Sequence, residues 1–367
     1  MNKTVVVGMS GGVDSSVCAY LLKEQGYNVI GVTMQIWRPE NACDISYNGG
    51  CCGLSAVDDA RRVAETIDIP YYVMDFRSEF QKYVIDHFSS QYVKGLTPNP
   101  CIECNRHVKW EALLQKARDI GADYLATGHY ARISKFENGR YSISASKTAA
   151  KDQTYALYAL TQDQLAHTLL PIGEYEKTDV RRIAEEAGLP VAHKKDSQEI
   201  CFVPDGDYAS FIEKEDGVNV PGPGDFVTPS GEFIAKHKGI THYTIGQRRG
   251  LGVPAGERIY VTDINPESGR VTLGSNEDLM TSAVTADDLR WMGLEGISSG
   301  EKIRVKAKIR YNHPGETGFL ESAGDGLARV VFDKPVRAAA PGQALVFYDE
   351  SGTYILGGGT IIKQAKE

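Results

Sequence analysis

The sequence predicts an α/β N-terminal domain built on a parallel sheet, followed by two smaller β-rich domains, the last a β-barrel. Three observations carry this. The β-branched run Thr4-Val5-Val6-Val7 closes on a glycine turn and runs straight into a helical pattern. Strand and helix patterns then alternate through the first half of the chain. Beyond Gly217 the composition turns to Gly, Pro and short alternating stretches, which is poor helix material.

Element by element, Thr4–Val7 reads as a buried strand and Asp14–Gln25 as a helix stopped by Gly26. Asn28–Met34 reads as a second strand, Val57–Ile67 as an amphipathic helix and Pro70–Asp75 as a third strand. Ser78–Tyr92 and Val108–Ile120 read as helices, with Tyr124–Thr127 as the next strand. After residue 217 turn residues recur at the close spacing of short strands. The expected domains are residues 1–215, 216–283 and 284–367, without internal repeats.

With 367 residues the chain has room for a substantial core without disulfide or metal staples. No apolar run approaches the roughly 18 residues of a membrane span, and the N-terminal apolar stretch is too short for a signal peptide. A cytoplasmic protein without membrane attachment is expected. The net charge is −8, from 40 basic and 48 acidic residues. A protein that merely coats nucleic acid is basic, so any such contact must come from local patches. Residues 284–367 hold 11 basic and 11 acidic residues and lack the acidic excess. The seven cysteines are an odd number, which argues against a disulfide framework and for thiols with chemical or metal roles.

The segment Ser10-Gly11-Gly12-Val13-Asp14-Ser15-Ser16 sits between a strand and a helix. Glycines let backbone N–H groups turn toward an anion, and the helix N-terminus favours negative charge. Asp14 would help hold Mg²⁺ on bound phosphates. No Gly-Lys-Ser/Thr follows, and the dinucleotide spacing is missing. The bland alternative is a tight βα turn. The seven residues SGGVDSS closely resemble the PP-loop of the ATP pyrophosphatase family, which implies ATP cleaved between its α and β phosphates.

Cys101 and Cys104 follow Pro98-Asn99-Pro100, and the prolines predict a stiff loop with a helix starting near Asn105 or Arg106. A thiol at that helix N-terminus, near Arg106, His107 and Lys109, is biased toward thiolate. Cys201 lies in Ser197-Gln198-Glu199-Ile200-Cys201-Phe202. Cys18 falls on the apolar face of the first helix, and Cys43, Cys51 and Cys52 lie in a Gly-rich loop. Half a zinc site, with Cys51 and Cys52 as partners of Cys101 and Cys104, is the structural alternative. A second C-x₂-C or an H-x₃-H that would strengthen it is missing.

Taken together, SGGVDSS, PNPCIECN and SQEICF resemble the bacterial tRNA-specific 2-thiouridylases over essentially the full length. Further matching stretches are Thr127–Arg132, Lys151–Tyr155, Tyr243–Gly250 and Pro341–Gln343. The resemblance implies adenylation of O2 of the wobble uridine in tRNAs for Lys, Glu and Gln, then sulfur transfer and release of AMP. It implies a persulfide on Cys201, with Cys104 releasing the sulfur as hydrosulfide or by closing a disulfide. Gly8, Met9, Ser10, Gly11, Gly12, Val13, Asp14, Ser15 and Met34 would line the ATP site, with Gly128 near the adenine. Asn99, Pro100 and Cys101 would touch the target base. His129, Lys151, Asp152, Gln153 and Gln343 would meet tRNA. A cysteine desulfurase or a sulfur-carrier protein would load the enzyme. Some members have Asp where this chain has Cys101, so Cys101, Cys104 and Cys201 would alternatively hold a [4Fe–4S] cluster.

Lys302–Tyr311 alternates with period two, placing five cations on one face and Ile303, Val305, Ala307 and Ile309 on the other. Such a stripe, roughly 27 Å long at about 3.3 Å per residue, would follow several phosphates, with Arg310 and Tyr311 at its end. A solvated sheet face of mixed charge is the competing reading. Lys236, Lys238, Arg248 and Arg249 add a second basic cluster. Tyr130 or Tyr311 would stack on anticodon bases. Two other functions fit fewer features. A PP-loop enzyme acting on a small molecule leaves the cysteines idle, and a zinc-bearing RNA-binding module leaves the glycine loop unexplained.

Overall fold

The structure, a computed structural model, describes residues 2–36, 54–196, 200–215, 217–253 and 258–363. The chain forms two compact units. The first comprises Met1–Val84, Cys101–Gly206 and Thr353–Ile355; the second comprises Ile85–Pro100, Asp207–Gly352 and Leu356–Glu367. The segment from Ile85 to Pro100 therefore belongs with the β-rich residues, although sequence order puts it in the α/β half.

In the first unit, β1 (Thr4–Gly8) leads into α1 (Val13–Glu24), then β2 (Asn28–Gln35), α2 (Leu54–Thr66) and β3 (Tyr71–Asp75). The helical run after β3 opens in this unit with α3 (Arg77–Phe80) and most of a π-helical stretch Gln81–Ile85, and its last part, α4 (Asp86–Val93), belongs to the second unit. A second run comprises α5 (Pro100–Glu103), a ten-residue π-helix Cys104–Leu113 and α6 (Leu114–Asp119). It begins at Pro100, several residues before the expected start. Proline fits the first helical position, where its missing N–H costs nothing, so the second proline starts the helix instead of delaying it.

Next come β4 (Tyr124–Thr127), the hairpin β5 (Ala131–Lys135) and β6 (Tyr141–Ala145), α7 (Gln162–Ala166), β7 (Thr168–Leu169) and α8 (Lys177–Glu186). The sheet order is β3-β2-β1-β4-β7, and every pairing is parallel. The central strands β1 and β4 are largely buried, as a parallel sheet under helices requires, whereas the edge strand β3 leaves Tyr72 and Val73 exposed. Val5 and Val7 share a core with Val13 and Val17 of α1 and with Val180 and Ala184 of α8. Strand order reverses between β1 and β4, which opens a crevice at the carboxyl ends of those strands, where open α/β sheets bind ligands.

In the second unit, α9 (Tyr208–Lys214) precedes β8 (Gly224–Val227), β9 (Phe233–His237), β10 (Tyr260–Asn265) and β11 (Arg270–Gly274). These four strands form a sheet in the order β10-β11-β8-β9 over a core of Phe226, Tyr243, Val261 and Val271. A closed barrel follows, built from β12 (Met280–Trp291), β13 (Lys302–Lys308), β14 (Glu316–Gly324), β15 (Leu327–Arg337), β16 (Ala344–Tyr348) and β17 (Ile355–Ile361). Closure removes the unpaired edges an open sheet would expose. Val284, Val305, Ala307, Leu320, Val330 and Phe347 fill its interior. Strand β12 starts at Met280 and so runs across the expected limit at residue 283.

Candidate active site

The glycine loop leaves β1 at the crevice between β1 and β4. The Met9 amide donates to the Val32 carbonyl at 2.8 Å, and the Thr33 hydroxyl donates to the Met9 carbonyl at 2.8 Å. The Ser10 amide donates to the Ser15 hydroxyl at 3.1 Å, and Ser16 donates to the Gly12 carbonyl at 2.8 Å. These bonds fold the turn back on the first turn of α1. Gly11 has φ +68°, and a Cβ there would lie 2.3 Å from the Ala56 carbonyl oxygen, so only glycine fits. Met9, Gly11, Val13 and Ser15 are buried, whereas Gly8, Ser10, Gly12 and Asp14 are half-buried. Met34 sits near the carboxyl end of β2, in register with Met74. Gly128 follows β4, and its Cα packs against the Asp14–Ser15 backbone. The expected nucleotide residues thus occupy one end of one sheet.

Two cations, Lys177 and Lys194, reach this loop, and Lys151 and Arg181 join them through Asp196; sequence reasoning missed three of the four as site residues. Lys177 Nζ lies 2.7 Å from Asp14 Oδ1 and 2.9 Å from Asp196 Oδ1. Arg181 and Lys151 also reach Asp196, at 2.9 and 3.1 Å. Lys194 donates to the Gly11 carbonyl at 3.0 Å and pairs with Asp59 at 2.8 Å. Burial pushes the Asp196 carboxyl up, but hydrogen bonds from Lys177 and Lys151 outweigh it and hold the group below its ordinary range. No local spacing announces this network, because its members are far apart in the chain.

Tyr130 is 2% exposed, and its hydroxyl donates to Asp14 Oδ1 at 2.7 Å. It does not present a face for stacking on bases, which corrects that expectation. Burial and then the Asp14 carboxylate push its phenol well above the ordinary value. His129 Nδ1 lies 2.7 Å from the Thr127 hydroxyl, and burial followed by the charge of Lys109 pushes its imidazole well below the usual value. Asp152 accepts from the Thr154 hydroxyl at 2.5 Å, and Gln153 accepts from the Tyr130 amide at 2.9 Å. With Lys151 held by Asp196, all three residues of this expected tRNA contact make bonds within the first unit.

Cys101 is exposed on α5, Cys104 half-buried at the start of the π-helix, and Cys201 exposed. π-helical turns are rare and concentrate at functional sites. The π-helix is fixed by Asn105, which donates to the Ala156 carbonyl at 2.8 Å, and by Trp110, which donates to the Thr168 hydroxyl at 2.7 Å. His107 lies 2.6 Å from Glu111 and stacks on Tyr83 with ring centroids 4.6 Å apart. Cys18 is buried, as expected. Cys43, Cys51, Cys52 and Ser197–Glu199 lie outside the described residues. Among the described residues no three His, Cys, Asp or Glu side chains group to hold a metal ion. Cys101, Cys104 and Cys201 form no such group among the described residues.

In the second unit Asn99 is half-buried and Pro100 buried, and Gln343 donates to the Thr97 carbonyl at 2.8 Å. The alternation expected along β13 is present, but the strand ends at Lys308, so Arg310 and Tyr311 lie in the turn beyond it. Arg310 donates to the Arg337 carbonyl at 2.8 Å, and Tyr311 is 40% exposed. The cationic stripe is partly neutralised from neighbouring strands. Arg304 pairs with Asp333 at 2.5 Å and Glu350 at 3.4 Å, and Lys302 pairs with Glu321 at 3.4 Å. Among the described residues no carboxylate pairs with Lys306 or Lys308, so the uncompensated charge is shorter than the sequence implied. Of the second basic cluster, Lys236 pairs with Asp225. Among the described residues no helix is long and apolar enough to cross a membrane.

Comparison with known proteins follows the same division. Residues 3–205 match the family model described as the tRNA methyl transferase HUP domain, residues 209–275 its PRC-barrel domain, and residues 281–361 the aminomethyltransferase beta-barrel domain. The chain is 58% identical over 361 residues to the tRNA-specific 2-thiouridylase MnmA of Lachnoclostridium phytofermentans, covering 98% of this chain and 100% of that one. It is 52% identical over 364 residues to the tRNA-specific 2-thiouridylase MnmA of Clostridioides difficile, covering 99% of each. With an α/β domain, a β sheet and a closed barrel in the matched order, the chain belongs to the tRNA-specific 2-thiouridylases, a family of tRNA-modifying sulfurtransferases.

Proposed function

We propose that the protein uses ATP to replace O2 of uridine 34 by sulfur in tRNAs for Lys, Glu and Gln. The observation that carries this is the anion cradle at the β1–β4 crevice, joined by Gly128, in a domain that also holds Cys104 and Cys201. ATP binds on residues Gly8–Ser15 with Met34 and Gly128 alongside. The uracil O2 attacks the α-phosphorus, the α–β bond breaks, and pyrophosphate leaves with the electron pair. The O-adenylate turns a poor leaving oxygen into AMP. Cys201 carries a persulfide loaded by a cysteine desulfurase or a carrier. Cys104 thiolate attacks the Cys201 sulfur, the terminal sulfur departs as hydrosulfide, and a Cys104–Cys201 disulfide forms. Hydrosulfide adds to C2 and AMP departs, leaving the C=S bond. An external dithiol reduces the disulfide before the next turnover.

In this reading residues 1–215 perform the chemistry, with Asn99, Pro100 and Cys101 at the target base, and the barrel with Lys306, Lys308, Arg310 and Tyr311 contacts tRNA. Reaching C2 requires the base to leave the anticodon stack. Mg²⁺ would offset charge on the ATP phosphates. Asp14 is bonded to Lys177 and Tyr130 here, so no residue is assigned to it. The work is placed in the cytoplasm, where tRNA is available. The test is release of pyrophosphate and AMP with and without unmodified tRNA. Release that requires tRNA supports the reading; release indifferent to tRNA favours a PP-loop enzyme acting on a small molecule.

A further inference from the structure

Lys177 occupies the first position of α8, just after its cap Glu176. A cation at a helix N-terminus is opposed by the helix dipole, so helix stability does not explain this residue. Its side chain is only 15% exposed, and its ammonium bridges Asp14 on the glycine loop and Asp196. An ammonium has three N–H donors. Two are occupied by these carboxylates; among the described residues no third oxygen or nitrogen acceptor meets Lys177, whose ammonium also lies over the Tyr130 ring, 5.6 Å from its centroid.

The position is fixed relative to the loop. Val180 and Ala184 of α8 lie in the same buried core as Val13 and Val17 of α1. Lys194 reaches the loop separately, through the Gly11 carbonyl. Around the cradle, four cations (Lys151, Lys177, Arg181, Lys194) meet three carboxylates (Asp14, Asp59, Asp196), which leaves one net positive charge. Asp196 keeps Lys151 and Arg181 if Lys177 moves. Asp14 keeps the Tyr130 hydroxyl. Neither acid would be stranded by release of the ammonium.

We propose that Lys177 contacts the β,γ-phosphate half of the nucleotide, exchanging Asp14 for a phosphate oxygen while keeping Asp196. This rests on the ATP reading above and adds a residue to it. When the bond from the α-phosphorus to the α,β-bridging oxygen breaks, the electron pair stays on that oxygen and charge grows on pyrophosphate. A preorganised ammonium beside it stabilises that charge. Before ATP arrives, the two carboxylates hold the ammonium in place.

The experiment is titration of the full chain with inorganic pyrophosphate, AMP and unmodified tRNA, using wild type, Lys177→Gln and Lys177→Arg. Lys177→Gln should weaken pyrophosphate binding about tenfold or more, the scale of one charge-assisted contact. AMP and tRNA affinities should stay within about twofold, because neither ligand has a β,γ-phosphate in this position. Lys177→Arg keeps the charge and should recover part of the loss, and its behaviour remains readable if the Gln variant folds poorly. Unchanged pyrophosphate affinity in Lys177→Gln overturns the proposal but leaves the ATP reading standing. An equal loss for all three ligands, or loss confined to tRNA, also overturns it, pointing to a structural or RNA-backbone role. Wild-type protein that binds neither pyrophosphate nor ATP overturns both.

Discussion

A Cβ on Gly128 would lie 2.6 Å from the Ser15 amide nitrogen, closer than real Cβ atoms approach a non-bonded heavy atom. The turn after β4 is pressed onto the first turn of α1, and both partners are backbone, so neither can swing aside. Gly128→Ala should therefore spread the β1–β4 crevice. It should lower stability by about 1–3 kcal/mol, as overpacking does, and weaken ATP binding in the same preparation. Gly12 provides the contrast. Its Cβ would meet only the Ser10 hydroxyl, at 3.4 Å, so Gly12→Ala should cost no more than about 1 kcal/mol, the scale of an N-cap change. Thermal unfolding and ATP titration of both variants check this.

The nucleotide and sulfur steps should separate by mutation. Cys201→Ser should abolish thiolation while tRNA-dependent AMP formation stays detectable. Asp14→Ala should weaken adenylation itself, since it removes the acceptor shared by Lys177 and Tyr130. Parallel assays of AMP and of thiolated tRNA read the split. Normal thiolation by Cys201→Ser would sink the assignment of the persulfide.

The barrel carries an acid-sensitive histidine. Burial, then the charges of Arg310 and Lys308, push the His313 imidazole down to about 4. Its Nδ1 accepts from the Gly315 amide at 3.2 Å, which requires the neutral ring. In the unfolded chain the same ring protonates near the ordinary histidine value of about 6.5. Between those values the unfolded state binds the extra proton, so stability rises with pH there. It should be complete above about pH 6.5 and fall as pH drops toward 4, by an amount on the order of 2–3 kcal/mol. His313→Gln should flatten that part of the pH–stability curve. An unchanged slope in denaturant unfolding from pH 7 to 4.5 would refute it.

Charge pairing on the barrel predicts unequal contributions to tRNA affinity. Arg304 is engaged by Asp333 and Glu350, whereas no described carboxylate pairs with Lys306 or Lys308. Lys306→Glu should raise the tRNA dissociation constant and reduce the salt slope by about one. Arg304→Gln should change the slope less, because it also frees two carboxylates. Filter binding between low and moderate salt distinguishes them. An unchanged slope for Lys306→Glu would move the tRNA surface elsewhere.

The contrast between these residues marks what the sequence could reveal. SGGVDSS was legible because its chemistry is contiguous and its turn is set by local backbone. The parallel sheet was legible from β-branched runs such as Thr4–Val7 alternating with amphipathic helices. Lys177, Arg181 and Lys194 were not, since their partners across the loop are brought near only by packing of α8 and the segment after it on α1. Arg304 looked unpaired for the same reason: its acid is 29 residues away on a neighbouring strand. Tyr130, with the right chemistry for stacking, is claimed by Asp14, 116 residues earlier. The helix holding Cys104 shows a different limit. Two prolines favoured a loop, but the second serves as a helix start, and nothing in local propensity signals the π-helix that follows.

The most direct test of the account is nucleoside mass spectrometry of unmodified tRNA-Glu after incubation with the protein, Mg-ATP and a sulfide or persulfide donor. The expected result is an ATP-dependent replacement of oxygen by sulfur at uridine 34, lost in Cys201→Ser when a persulfide donor is used. No replacement, while the same protein forms AMP from ATP without any requirement for tRNA, would contradict it.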